Sequence, residues 1–160
     1  MTSFEAPAPR RAWSAATPFV VTGLASITAG GLISALTASA PSRHTAWLVA
    51  YLVLVVGVAQ IAIGAGQAGL ARRPITDAWL TLELLTFNVG NVLVVIGTLL
   101  YRPPLVDGGG TLLGIGLILF LAGVRGSEAS WWARHLYRIL IAFLIVSIVI
   151  GLVLAQLRDA

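Results

Sequence analysis

Residues 45–70 read TAWLVAYLVLVVGVAQIAIGAGQAGL, a run without one charged residue that stops against Arg72, Arg73 and Pro74. As a helix rising 1.5 Å per residue it exceeds the roughly 30 Å of a bilayer's hydrocarbon core. A membrane-crossing strand needs only about ten residues, and the chain breakers stand outside the run and not within it. In lipid the backbone must satisfy its own hydrogen bonds, which leaves a helix as the economical reading. The stretch is therefore expected to cross a membrane.

Working outward, the same pattern recurs on both sides. One span is expected from about Pro18 to Ala40, closed by Pro41 and Ser42. Another runs from about Ala78 to Leu100, opened by the cap candidates Thr76 and Asp77 and ended by Tyr101, Arg102, Pro103 and Pro104. Thr111 to Val124 is short. It approaches the roughly seventeen residues a bilayer requires only with Gly108, Gly109 and Gly110, a triplet read as a flexible turn. The last span runs from Trp131 to about Leu157. The expected fold class is an all-α integral membrane protein, a single five-helix transmembrane domain over 18–157. Residues 1–17 are expected to form a short cytoplasmic tail and not a cleaved signal peptide, since they hold Pro7, Pro9, Arg10 and Arg11 and lack a short apolar core.

Composition agrees. The chain is 58% hydrophobic and 10% charged, with a mean hydropathy of +0.95, whereas a soluble domain carries about 25% charge. The ten basic residues are all arginine and give a net charge of +4. They lie singly or in pairs between apolar spans, which suits topology signals better than nucleic-acid contacts. Arg10, Arg11, Arg72, Arg73, Arg125, Arg134 and Arg138 fall on one side of the expected bundle, and Arg43, Arg102 and Arg158 on the other. The positive-inside rule then puts the N-terminus in the cytoplasm and the C-terminus outside. Arginine without lysine also fits a GC-rich genome, so a bacterial plasma membrane is the expected location. All five tryptophans stand near span ends, as an interfacial belt requires.

Glu83 is the one acid inside an apolar run. A charge near mid-bilayer costs about 2.5–3.5 kcal/mol on insertion scales, so such a residue has a partner or a task. If the third and fifth spans touch, His135 or Arg138 is the expected partner. Asn91 lies about 80° from Glu83 around the helix and Asn88 about 140°. Gln60 and Gln67, seven residues apart on the preceding span, complete an expected polar seam of Gln60, Gln67, Glu83, Asn88, Asn91, His135 and Arg138. It serves either as interhelical glue or as the lining of a site. Small residues at intervals of four (Ser26, Gly30, Ser34 and Ala38; Ala62 and Gly66; Gly110 and Gly114) mark faces where helices can approach closely.

The excluded chemistry is broad. No cysteine is present, so disulfides, thiolate metal sites and iron–sulfur clusters are absent. The only histidines, His44 and His135, are expected at opposite membrane faces about 30 Å apart, too far to share a haem. No catalytic residue, metal ligand set or cofactor is assigned, and no internal repeat is evident. In length and helix count alone, the chain resembles the translocator proteins that bind porphyrin and sterol. That family's dense tryptophan motifs are not here, so no site is carried over.

The functional expectation is a non-catalytic small membrane protein, an accessory or structural subunit of a larger membrane complex. Its partners are the lipid bilayer and other membrane subunits or further copies of itself, with no nucleic acid. The alternative is a homo-oligomeric binder or transporter of a proton, ion, quinone or lipid-like ligand using the seam around Glu83.

Overall fold

Five long helices and no strand make up residues 9–72 and 75–157, which the computed structural model describes. Helix α1 is Pro9–Leu36. Helix α2 passes without a break through Arg43–Tyr51, a π-helical stretch at Leu52–Ala59, and Gln60–Leu70. Helices α3, α4 and α5 are Asp77–Leu99, Pro103–Gly123 and Trp131–Leu157. All five are long and apolar enough to cross a membrane.

The boundaries follow from local chemistry. The Ser42 hydroxyl accepts the Thr45 amide at 3.1 Å and starts α2. The Thr76 hydroxyl accepts the Trp79 amide at 3.3 Å and starts α3, with Asp77 complementing the positive end of the helix dipole. Of the segment read as a tail, residues 1–8 lie outside the described residues and 9–17 are already helical. Pro18 sits inside α1 and does not open it. Membrane helices tolerate such a proline because surrounding groups can satisfy the carbonyl it frees four residues earlier.

The largest departure from the sequence reading concerns α4. Pro103 and Pro104 were expected only to end the preceding span, yet they occupy the first positions of α4, where a missing N–H costs nothing. Helix α4 is therefore full length. The glycine triplet lies within it and is not a flexible turn, and Gly109 and Gly110 are buried.

The helices form a closed ring in the order α1, α2, α5, α4, α3. Helices α3 and α4 pack closely. A Cβ on Gly90 would stand 2.9 Å from the Gly109 carbonyl, and one on Gly109 would stand 2.7 Å from the Gly90 carbonyl. Without side chains at these two positions the backbones touch, which is how membrane helices gain contact when burial from water no longer drives them together. Inside the ring, Phe120 of α4 meets Phe19 of α1 edge-on at 5.2 Å and Phe87 of α3 at 6.2 Å. Ile63, Leu117 and Ile141 are fully buried around them. Helix α5 turns Tyr137, Ile141 and Leu144 inward, with Leu140, Ile145 and Ile148 half-buried beside them.

Candidate functional site

Glu83 is fully buried and is shared between helices. Its Oε1 accepts hydrogen bonds from the Gln67 amide of α2 at 2.5 Å and from the Trp79 indole at 2.7 Å. Trp79 is four residues earlier on the same helix, the spacing that stacks side chains on one face. Gln67 reaches across because Gly123, at the end of α4, has no side chain. A Cβ there would fall on the Gln67 amide nitrogen and lie 3.5 Å from Glu83 Oε1. The other oxygen, Oε2, is buried without a hydrogen-bond partner. The hydroxyl of Tyr137 is also buried and unpartnered. These groups can bind or orient a small polar group. They include no nucleophile with an adjacent base.

The expected seam divides into separate bridges. Gln60 turns to α1, where its amide donates to Thr22 Oγ1 at 2.7 Å. Asn91 accepts the Tyr51 hydroxyl at 2.8 Å, a second bridge between α2 and α3. Asn88 is half-buried and donates to the Leu84 carbonyl of its own helix at 2.8 Å. Gln67 and Glu83 are the only two of the expected residues that bond to each other.

The expected pairing of Glu83 with His135 or Arg138 does not form. Helix α4 stands between α3 and α5, and the inward face of α5 is centred on Tyr137. Arg138 is about 100° around the helix from Tyr137 and His135 about 200°, so both point outward. His135 instead bonds the Trp131 carbonyl at 2.8 Å and lies over the Trp131 ring at 4.5 Å. At the other end of the bundle, His44 bonds the Tyr101 hydroxyl at 2.9 Å. Among the described residues no cluster of three or more potential metal-ligating side chains occurs. Sequence reasoning did not name Trp79, Tyr51, Thr22, Tyr137 or Gly123 as members of these bridges. Only Trp79 carried a usable signal, its spacing of four from Glu83.

Two cavities flank the last turn of α2. One, of about 290 Å³, is lined by Arg72, Ala122, Gly123, Arg125 and Gly126, so the glycine that makes room for Gln67 also forms its wall. The other is an apolar groove of about 410 Å³ between α2 and α5, lined by small residues such as Ala65, Gly66, Gly69 and Ala133 and by Tyr137 and Trp132. Arg72 pairs with Glu128 at 2.9 Å, and Arg134 donates to the Ser127 carbonyl at 3.1 Å.

Fold and site together define an all-helical chain with five helices suited to crossing a membrane and one carboxylate buried among them. Compared with protein-family models, curated proteins and solved structures, the chain matches none.

Proposed function

We propose that the protein is a non-catalytic, multi-pass membrane protein that packs as an accessory or structural subunit into a larger membrane complex. The observation that carries this reading is the outer face of α5. Leu136, Ile139, Phe143, Val146, Ile150 and Val153 are each at least half exposed. They recur at alternating intervals of three and four, the spacing by which one helix seats its side chains between those of another. The interior supports the same reading, because its amides and its carboxylate tie the chain's own helices together. The arginine distribution supports a plasma membrane with the N-terminus inside, Arg72, Arg125, Arg134 and Arg138 lying at the cytoplasmic end.

A second reading, a homo-oligomeric binder or transporter of a proton, ion, quinone or lipid-like ligand, is favoured by one observation. Glu83 Oε2 and the Tyr137 hydroxyl are among the buried polar atoms without partners, and an ionisable group inside a membrane is by default a candidate site.

Native mass spectrometry of the protein, extracted gently from its own membrane, separates the two. Stoichiometric foreign subunits are expected, and they should be lost when Phe143→Ala and Ile150→Ala are combined. A monomer with no partner sinks the subunit reading. A homo-oligomer that retains a small molecule, released by Glu83→Gln, replaces it with the second.

A further inference from the structure

The end of the bundle that carries Arg72 and Arg125 has a use that neither reading assigns. We propose that it is a binding site for an anionic phospholipid. The phosphate sits between Arg72 and Arg125, and an acyl chain lies in the groove between α2 and α5.

Four observations converge on this site. The cavity of about 290 Å³ is lined by Arg72 and Arg125 together with Ala122, Gly123 and Gly126, so its only charged lining residues are two arginines. Gly126 holds a φ of +73°, a conformation natural to glycine, and a Cβ there would meet nothing within 4 Å, so the loop leaves the space open. The guanidinium of Arg125 forms no hydrogen bond or ion pair with any described residue, and Arg72 holds only Glu128, whose side chain is 65% exposed. An exposed pair of that kind is weak and exchanges readily for a phosphate, which an arginine can grip with two parallel hydrogen bonds.

The groove between α2 and α5, whose lining reaches Leu70 and Ala129, two residues from Arg72 and three from Gly126, supplies what a free phosphate would not need. It is almost wholly apolar and runs along α2 past Gly66 and Gly69. A Cβ on Gly69 would meet nothing within 4 Å, so this stretch of helix leaves room that its neighbours do not fill. Trp132 lines the same groove and is 64% exposed, and tryptophan is the residue that settles at head-group depth. The charges at this end include Arg72, Arg125, Arg134 and Arg138 against Asp77 and Glu128, an excess of positive charge. Charge and apolar groove together select an anionic lipid over a zwitterionic one or a soluble anion.

The test is lipid retention, read by native mass spectrometry of the full chain taken from mixed micelles. Each micelle holds phosphatidylglycerol and phosphatidylcholine in equal amounts. Because both arginines attract its net negative charge, phosphatidylglycerol should be retained roughly tenfold more than phosphatidylcholine. Arg72→Gln combined with Arg125→Gln should abolish that preference, while Arg43→Gln combined with Arg102→Gln, at the other end, should keep it. Gly69→Phe fills the groove without touching either arginine and should lower retention by itself, which keeps the proposal testable if the arginine variant does not fold. Equal retention of the two lipids, a preference that survives in the Arg72 and Arg125 variant, or undiminished retention in Gly69→Phe overturns the proposal. So does displacement of the lipid by millimolar inorganic phosphate, which would make this a site for a free anion.

Discussion

Helices α3 and α4 meet through glycine, and α2 also turns glycine toward α5, yet the two contacts are unlike. Gly90 and Gly109 face each other, so each backbone fills the space the other leaves. Gly66 faces the ring of Tyr137, and Gly69 faces nothing within 4 Å. A small residue on a membrane helix thus has no fixed meaning. Opposite another small residue it draws two helices into contact. Opposite an aromatic ring, or beside alanines such as Ala129 and Ala133, it leaves a groove. The first arrangement makes a rigid pair, and the second makes a place for something else to lie.

The largest expected effect comes from breaking the tight pair. Gly109→Val places methyl groups where the Gly90 carbonyl and the Val94 amide stand within 3 Å, and backbone cannot move aside as a flexible side chain can. Overpacking of this kind costs about 1–3 kcal/mol and sometimes more, and here the whole α3–α4 contact also opens. Gly114→Val on the same helix is the control, because a Cβ there meets nothing within 4 Å. Thermal unfolding in detergent should show a large loss for the first variant and little change for the second. Equal melting temperatures would mean that α3 and α4 do not touch along Gly90 and Gly109.

The bridge that spans the two regions comes next in size. Glu83→Gln keeps an acceptor for both the Gln67 amide and the Trp79 indole, whereas Glu83→Leu removes it and leaves two donors without a partner in a dry interior. The leucine variant should lose about 1–2 kcal/mol more than the glutamine variant. A double-mutant cycle should couple Glu83 to Gln67 and leave it uncoupled from Arg138. Coupling to Arg138 would mean that α5 is rotated from the orientation that turns Tyr137 inward.

What could be read beforehand follows the same division. The five spans were legible because a long apolar run is a local property, and Thr76 fell at a cap as helix chemistry dictates, whereas Ser42, read as closing the first span, caps the start of α2. Glu83 was legible as an exception, since a buried acid is conspicuous in any apolar run. Its partners were not, because they depend on which helices adjoin. Nothing local in Gln67 says that it faces Glu83, or in Tyr137 that it replaces Arg138 on the inward face of α5. The glycine triplet misled for the same reason. By local propensity Gly108, Gly109 and Gly110 read as a turn, and only the presence of Gly90 on the neighbouring helix makes Gly109 a good helical residue. Pro103 and Pro104 added to the error, since a proline that stops one helix is also well placed to start the next.

The smallest effect gives the sharpest view of the α2–α5 contact, because two glycines three residues apart should respond with opposite signs. Alanine favours a helix over glycine by up to about 1 kcal/mol. At Gly69 no neighbour opposes that gain, so Gly69→Ala should be neutral or slightly stabilising. At Gly66 the new Cβ would stand 2.7 Å from the edge of the Tyr137 ring, and the ring must swing or α5 must move outward. Either response disturbs a side chain that is 4% exposed and packed into the core, so Gly66→Ala should lower the melting temperature by more than the propensity gain restores. Shortening the ring should reverse that sign: in a Tyr137→Leu background the Gly66→Ala penalty should disappear. If both glycines respond alike in the unmodified protein, α5 stands farther from α2 than Tyr137 can bridge, and the groove is wider than 410 Å³.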